Sequence, residues 1–252
     1  MKSMISIIMA AYNAEKTIDQ AIESVLSQSY ENFELIVIND CSKDQTESIV
    51  KQYQSKDKRV KLISNENNQG VSKTRLYGLN SARGNWIAIL DSDDKWEEDK
   101  LEKQVCLVKK TRAELVFTGS AFMNHEGKRI EGYLHAPNTV DYKTLLKQNV
   151  ISNSSVLIKK YLYKKYYAVS DNMHEDFAIW LQVLRTGRLA YGIDEPLLTY
   201  RLSSNSKSSN KLKAAKMNWN TYRYIGLNML QAFYYECLYT INGIRKYRGI
   251  KE

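Results

Sequence analysis

The segment GNWIAILDSDDKW, residues 84–96, places an apolar run directly before a cluster of acidic residues. The run Trp86–Leu90 is apolar throughout, which is typical of a strand covered on both faces of a parallel sheet. Carboxylates two residues apart on an extended segment point to one side, so Asp91 and Asp93 can face one ion or ligand together. Their oxygens suit Mg²⁺ or Mn²⁺. A helix cap or a solvated turn is the alternative interpretation of the same cluster.

Three earlier apolar runs have the same character, and they cover Met4–Ala11, Phe33–Asn39 and Val60–Ser64. Apolar residues recur at helical spacing between the first two runs, and Ser42 with Gln45 predicts a capping box that opens a second helix. A third helix is expected over Val71–Ala82, with Gly84 placed to end it. This alternation predicts an α/β fold, a Rossmann-like, doubly wound and mostly parallel sheet with right-handed crossovers.

Polar residues follow each of the four predicted strands, at the sheet edge where ligands of such folds bind. They are Tyr12 and Asn13, then Asp40, then residues 65–70, then Asp91–Asp94. Asp40 taken alone is explained by a turn, but two acidic positions at neighbouring strand ends are hard to explain by capping alone. Arg75 lies about one turn into the third helix, and a nucleotide contact and an exposed arginine are equally good interpretations of it.

The second half of the chain is less regular. Strands are predicted over Leu115–Thr118 and Val150–Ile158, a helix over Phe177–Leu184 and an extended segment over Leu197–Leu202. Ser203–Lys211 is rich in Ser, Asn and Lys, which is typical of a flexible linker.

Composition excludes several classes of protein. With 252 residues, 43% of them hydrophobic, the chain can bury a large core and is expected to form one main domain. No apolar run approaches the roughly 20 residues that cross a bilayer, and the first apolar run does not read as a secretory signal, so a cytoplasmic location is expected. Its three cysteines and three histidines have no spacing typical of a disulfide framework or a zinc site.

Basic character is concentrated in the tail. Residues 207–252 hold nine Lys or Arg against two Glu, a net charge of +7, whereas the whole chain carries +9. Apolar residues recur at helical spacing over Met217–Ile241, at Tyr222, Ile225, Met229, Phe233 and Cys237, and the basic cluster Arg245–Arg248 follows. The predicted amphipathic helix could pack on the domain, join a homodimer, or lie on a membrane; its charge favours an anionic surface.

Six segments together carry a resemblance to a known family. They are SIIMAAYNAEKTI (6–18), VINDCSKDQT (37–46), NQGVSKTRLYGL (68–79), GNWIAILDSDDKW (84–96), HEDFAIWL (174–181) and EPLLTYR (195–201). In this order and at these separations, they resemble glycosyltransferase family 2, with its GT-A fold. The resemblance implies an inverting enzyme that moves a sugar from a nucleotide-diphosphate donor, commonly a UDP-sugar.

The resemblance also implies roles for single residues. Donor-binding positions are Ala11, Tyr12, Asn13, Asp40, Arg75, Asp91, Ser92, Asp94 and Arg201, with Asp40 recognising the uracil ring. Asp93, in the DXD motif, is the expected ligand of Mn²⁺ or Mg²⁺, although Asp94 could share the metal. In the pair Glu175-Asp176 the aspartate corresponds to the general base, with Glu175 as the next candidate.

Two positions depart from the family pattern. Asn39 stands where many members have a second acidic residue before Asp40. Ser203 stands where many members have a histidine two residues after the arginine. A histidine metal ligand is therefore not expected, and Arg201 becomes the predicted diphosphate contact.

On this basis we expect a GT-A catalytic domain over residues 1–206, with a nucleotide-binding half (1–110) and an acceptor half (111–206), followed by a helical tail (207–252). The expected acceptor is a saccharide or lipid-linked saccharide of bacterial polysaccharide or lipopolysaccharide synthesis. The expected location is cytoplasmic, with peripheral contact to the inner face of the cell membrane.

Two rival functions fit the sequence less well. A sugar-phosphate nucleotidyltransferase requires a glycine-rich basic loop after the first strand, where this chain has Tyr12-Asn13-Ala14. A non-catalytic nucleic-acid-binding protein requires basic and aromatic residues interleaved across the fold, but residues 1–206 carry a net charge of only +2. Nucleic acid is therefore not an expected partner.

Overall fold

The computed structural model describes residues 3–202 and 211–246. Within them, ten strands form one sheet, and eight of these follow the order β3-β2-β1-β4-β9-β6-β10-β5. Two short strands complete it, β7 beside β6 and β8 beside β10. The predicted α/β class with a mostly parallel central sheet is confirmed.

The first half of the chain is a regular βα alternation. Its elements are β1 Ile5–Ala11, α1 Ile18–Leu26, β2 Phe33–Asn39, α2 Thr46–Lys56, β3 Val60–Ser64, α3 Val71–Ser81 and β4 Trp86–Ile89. β1 pairs in parallel with β2 on one side and β4 on the other. Strand order therefore reverses between β1 and β4, which is where a doubly wound sheet binds its ligands.

The second half mixes strand directions. It contains β5 Lys95–Trp96, α4 Lys100–Thr111, β6 Leu115–Met123, β7 Arg129–Leu134, β8 Thr139–Val140, α5 Tyr142–Lys147, β9 Leu157–Lys159, α6 Lys160–Tyr166, α7 Glu175–Leu184 and β10 Ala190–Arg201. β9 lies antiparallel between β4 and β6, whereas β6 and β10 are parallel to each other. The antiparallel strand β9 thus joins two parallel units.

The strand predicted over Val150–Ile158 is wrong for most of its length. Residues Asn153–Ser155 form a 3₁₀ helix, and strand structure begins only at Leu157. Serine and asparagine side chains bond to the local backbone here, since Ser155 Oγ donates to Ser152 O at 2.7 Å and Ile151 N donates to Asn149 Oδ1 at 3.0 Å. Such local bonds compete with a strand ladder.

Two predicted helix boundaries are also corrected. α2 begins at Thr46, so Ser42 and Gln45 do not form its capping box: Ser42 Oγ accepts from Asn13 N, and Thr46 N donates to Asp44 Oδ1 at 3.0 Å. α3 ends at Ser81, and Gly84 serves close packing: a Cβ there would lie 2.7 Å from Met4 O and Ser6 N.

Two hydrophobic cores lie on opposite faces of the sheet. One includes Ile22 of α1 and Leu101 of α4, and the other includes Leu79 of α3 and Trp180 of α7. Each core holds residues from both expected halves of the catalytic domain. The division at residue 110 is therefore not a packing boundary, and the domain limits remain a prediction.

The tail folds as two helices, α8 Lys211–Tyr224 and α9 Met229–Lys246. The single helix predicted over Met217–Ile241 is wrong, because Gly226, at φ +88°, lies in the break between the two. Most of the predicted linker (203–210) and the end of the basic cluster (247–248) lie outside the described residues. No helix in the described ranges has both the length and the apolar character needed to cross a membrane.

Glu34 is a buried carboxylate of β2 that links three segments of the chain. It is 1% exposed and accepts bonds from Ser6 Oγ (2.6 Å), Lys61 Nζ (2.6 Å) and Arg83 N (2.7 Å). Burial alone would raise the pKa of Glu34, but the hydrogen bonds from Lys61, Ser6 and Arg83 lower it to about 2. The charged form is thus the one that the fold stabilises.

We predict that Glu34→Gln lowers the free energy of unfolding at pH 7 by about 2 kcal/mol, the usual contribution of hydrogen bonds to a charged group. A depressed pKa in the folded state stabilises the protein above the unfolded-state pKa, near 4.5, and this stability is lost as pH falls toward 2. Denaturant unfolding at several pH values should therefore show wild type and variant converging below about pH 4.5. A difference that stays constant down to pH 2.5 would contradict this role of Glu34.

Candidate active site

Side-chain bonds fix the loop that follows β1. Asn13 has a left-handed backbone (φ +49°), its Oδ1 accepts from Lys43 N at 2.8 Å, and its N donates to Ser42 Oγ at 3.0 Å. Ala14 N donates to Thr46 Oγ1 at 2.8 Å. The loops after β1 and β2 are therefore held together. Tyr12 is 51% exposed at this edge, whereas Ala11 is 1% exposed.

Asp40 clamps the loop that leads into α3. Its Oδ1 accepts from Asn65 Nδ2 at 2.8 Å and from Gln69 N at 2.9 Å, and its Oδ2 accepts from Gly70 N at 3.0 Å. Gly70 has φ +79°, a conformation that disfavours other residues. Asp40 is 3% exposed, so it holds the loop from the buried side. Its predicted contact with a uracil ring stays a prediction.

The acidic loop after β4 is held by two residues from distant segments. Arg201 N donates to Asp94 Oδ1 at 3.0 Å, and Arg201 Nε donates to Asp93 O at 2.9 Å. Ser154 Oγ accepts from Asp91 N at 3.1 Å. Asp94 is 1% exposed, whereas Asp91, Ser92 and Asp93 are half-buried. The first three residues of the cluster are therefore the accessible ones.

Crowding of negative charge changes the protonation of this loop. Burial, and then the neighbouring Asp91 carboxylate, raise the pKa of Asp93 to about 6. Burial, and then Asp93, raise the pKa of Asp94 well above its usual range. A bound cation would relieve this repulsion, which makes the loop an electrostatically favourable place for one.

The donor set fits a divalent ion that is completed by a substrate. No three His, Cys, Asp or Glu side chains within residues 3–202 and 211–246 are placed to hold a metal together. Mg²⁺ in such enzymes commonly takes one or two carboxylates and completes its shell with phosphate oxygens and water. Asp93 suits that arrangement because it is accessible. Asp94 suits it less, because it is buried and holds the backbone of Arg201.

Arg75 forms ion pairs with two carboxylates, one in the acidic loop and one at the start of α7. Its Nη1 donates to Glu175 Oε1 at 2.7 Å, and its Nη2 donates to Asp91 Oδ1. Arg75 is 6% exposed, and although burial opposes it, the charges of Asp91 and Glu175 raise the pKa of Arg75. The predicted nucleotide contact stays a prediction. What the structure shows is an ion bridge between the end of β4 and the start of α7.

The acidic pair at the start of α7 separates into a buried and an accessible member. Glu175 is 6% exposed and bound to Arg75, whereas Asp176 is half-buried. The next residue, Phe177, is fully buried and anchors the helix. Asp176 is therefore the more accessible carboxylate of the pair, and its role as the base stays a prediction.

Arg201 uses its guanidinium within the protein. Besides the Asp93 carbonyl, it binds Asn124 O at 3.3 Å, His125 O at 3.1 Å and Gln20 Oε1 at 3.1 Å. It is 5% exposed. Its predicted contact with a diphosphate stays a prediction.

Sequence reasoning missed several residues that support these groups. Ser154 holds Asp91, Gln20 binds Arg201, and Thr221 Oγ1 accepts from His174 N at 3.1 Å just before α7. None lies in a recognisable motif. Contacts across 47 to 181 positions along the chain bring them to the site, and no local pattern encodes such contacts.

Comparisons with known proteins agree with this arrangement. Residues 6–177 match the family model described as Glycosyl transferase family 2. The chain is 37% identical to TuaG of Bacillus subtilis (strain 168), a glycosyltransferase assigned to teichuronic acid biosynthesis, over 97% of this chain and 98% of TuaG. It is 36% identical to the Escherichia coli UDP-Glc:alpha-D-GlcNAc-diphosphoundecaprenol beta-1,3-glucosyltransferase WfgD, over 97% of this chain and 95% of WfgD.

The fold is similar to that of a solved structure at low sequence identity. Residues 1–349 of TarS from S. aureus, in complex with UDP-GlcNAc, superpose with a TM-score of 0.74. Sequence identity is 19%, and the match covers 96% of this chain and 72% of that one.

We predict that Arg75→Ala lowers the free energy of unfolding by about 3–5 kcal/mol, because it leaves Asp91 and Glu175 without their shared cation. Denaturant unfolding measures the loss. Arg129→Ala is the matched control, since Arg129 is an exposed arginine of β7. Equal losses from the two changes would show that the bridge contributes no more than a surface charge.

Proposed function

Since this chain belongs to glycosyl transferase family 2, we propose that it transfers a sugar from a UDP-sugar to a lipid-linked saccharide, with inversion, in the synthesis of a surface polysaccharide or lipopolysaccharide. The observation that carries the proposal is the Arg75 bridge, which joins Asp91 of the DXD loop, beside the switch point between β1 and β4, to Glu175, the residue before Asp176. Enzymatic glycosyl transfer follows from the family itself.

Two relatives support the donor and the acceptor class. WfgD, by its name, takes glucose from UDP-Glc to a GlcNAc-diphosphoundecaprenol and makes a beta linkage. A β product from the α-linked glucose of UDP-glucose requires inversion. TuaG, assigned to teichuronic acid, is also concerned with a surface polymer. Both relatives match almost the whole of this chain, tail included.

In the proposed reaction, the acceptor hydroxyl attacks the anomeric carbon in one displacement. Asp176 takes the hydroxyl proton while the new C–O bond forms and the bond to the UDP phosphate breaks. A divalent ion on Asp93, when bound, would stabilise the charge that grows on the departing diphosphate. The new C–O bond forms on the side of the anomeric carbon opposite to the bond that breaks, so the configuration of that carbon inverts.

The ion bridge through Arg75 explains how donor and acceptor groups stay aligned. Arg75 holds Asp91, on the donor loop, and Glu175, the residue before the base. Both ends are fixed by one buried guanidinium, which has little freedom to move. We propose that Arg75 and Glu175 position Asp176, whereas Tyr12, Asp91 and Ser92 face the donor.

The proposed functional division places the donor on residues 1–110, the acceptor on residues 111–206 and a separate role in the tail. A nucleotide-sugar donor and a lipid-linked acceptor would meet at the inner face of the cell membrane. The expected location of the enzyme is therefore the cytoplasm, in peripheral contact with that membrane.

We predict that UDP binding depends on a divalent metal and that Asp93→Ala removes most of the dependence. Calorimetry with UDP and Mn²⁺, compared with UDP in EDTA, measures it. Asp99→Ala is the control, because Asp99, at the start of α4, is half-buried like Asp93 but pairs with Lys103, outside the acidic loop. Equal UDP affinity of the wild type in Mn²⁺ and in EDTA would exclude the proposed role of the metal in binding.

We predict that Asp176→Asn lowers turnover by about 10² to 10⁴-fold while UDP affinity stays near that of the wild type. Asparagine keeps the size of the side chain but cannot take the proton. Turnover is measured with saturating UDP-glucose and a GlcNAc-diphosphate lipid. Near wild-type turnover with an inverted product would place the base elsewhere, with Glu175 tested next.

We predict the opposite pattern for Asp40→Asn. Its new amide N–H₂ would replace one of the two oxygens and so face either the Gly70 N–H or the Gln69 N–H, neither of which can accept a bond. The loop before α3 should therefore loosen, and UDP affinity should fall more than turnover at saturation. The same assays decide it, and a loss confined to turnover would contradict the assignment of Asp40 to donor binding.

A further inference from the structure

Helix α9 has one face committed to the domain. Ala232 is fully buried, and Tyr235 and Tyr239 pack against the core. The Tyr235 ring lies 6.2 Å from that of Tyr222 on α8, and the Tyr239 ring lies 5.8 Å from that of Phe177 on α7. This inner face is aromatic and well packed.

The opposite face of α9 is apolar too, and it is exposed. Exposed fractions are 66% for Met229, 83% for Leu230, 64% for Phe233, 57% for Tyr234 and 50% for Ile241. At 100° per residue these five side chains span a sector of roughly 140°, which we name the outer face of α9. Cys237 and Thr240 lie in the same sector and are exposed.

The outer face differs from the sequence prediction. One apolar face was expected to contain Tyr222, Ile225, Met229, Phe233 and Cys237. The first two are buried in the core, whereas the last three are exposed. The break at Gly226 separates the two sets. A helix with two apolar faces, one of them in solvent, is typical of an interaction surface.

The charge around the outer face selects its partner. Residues 207–252 carry nine basic and two acidic residues, and one of these acids, Glu236, is half-buried and lies just outside the sector of the outer face. In a symmetric dimer built on this face, two tails of net charge +7 would meet. An anionic lipid surface instead attracts the basic residues and accepts the apolar ones.

We propose that the outer face of α9 inserts into an anionic lipid surface and docks the enzyme there. The aromatic and aliphatic side chains would enter the boundary of the headgroups, and lysines 213 and 216, which are exposed on α8, would face lipid phosphates. The lipid surface as the place of the acceptor rests on the proposed function, but docking itself does not require an acceptor.

Docking on this face would also set the position of the base. Phe177 is the neighbour of Asp176. The centre of its ring lies 5.8 Å from that of Tyr222 on α8 and 5.8 Å from that of Tyr239 on α9. His174 N is bound to Thr221 of α8. The start of α7 is therefore fixed to the helix pair that would lie on the lipid, so the height of Asp176 above the surface would be constant.

The test is co-sedimentation of the full chain with vesicles that contain no acceptor lipid. Vesicles of phosphatidylcholine with phosphatidylglycerol are compared with vesicles of phosphatidylcholine alone. The double change Leu230→Ser with Phe233→Ser should weaken binding to the anionic vesicles by at least about tenfold. Leu189→Ser is the matched control, since Leu189 is an exposed leucine before β10. Thermal melting and UDP affinity show whether each variant is folded.

The proposal is supported if the wild type binds anionic vesicles at low salt, and if this binding is weakened both by the double change in the outer face and by added salt. Failure of the wild type to bind them would overturn it. A second result would also overturn it. If the wild type elutes from gel filtration as a dimer, and the double variant elutes as a monomer but binds vesicles equally well, the outer face joins two copies of the chain. Because no acceptor is present, these outcomes do not depend on whether the proposed sugar transfer is correct.

Discussion

The site depends on one buried guanidinium. Arg75 joins Asp91, just after the last strand of the regular βα half, to Glu175, which lies 100 positions after Arg75 at the start of α7. Desolvation makes this bridge costly to form, but the structure compensates with two carboxylates at once. The position of α7 relative to the sheet, and with it the accessible Asp176, follows from this contact.

The sequence predicts a feature well when the residues that form it are close together in the chain, and poorly when they come from distant segments. β2 and β3 were predicted with their observed bounds, because runs such as Phe33–Asn39 are apolar on both sides and bordered by turn residues. Family motifs then indicated the polar strand ends. The buried state of Asp40, Arg75 and Arg201 could not be predicted, since their partners come from other segments. Met229 and Phe233 of the outer face of α9 were grouped with the buried Tyr222 and Ile225, because a helical period does not tell which of two apolar faces meets the core.

The loops of the site form a connected, hydrogen-bonded frame. Asp40 holds the loop before α3, Asn13 joins the loops after β1 and β2, and Arg201 holds the acidic loop. Asp40 and Arg201 are buried and already paired, so their side chains need not reorganise when a ligand arrives. The accessible groups, Tyr12, Asp91 and Asp176, stand on this frame. Preorganisation of this kind lowers the entropic cost of binding a flexible substrate.

The acidic loop is held by the end of β10, the strand beside β6, and this has a consequence for synthesis on the ribosome. The βα half closes its parallel strands through short crossovers, so it can begin to fold while later residues are still being made. The acidic loop lies in that half, yet two of its anchoring bonds come from Arg201, at the end of β10. A nascent chain whose residue 201 has not yet left the ribosome therefore lacks two of the bonds that hold its acidic loop. The enzyme gains its active geometry late in translation, when its tail is the next segment to emerge.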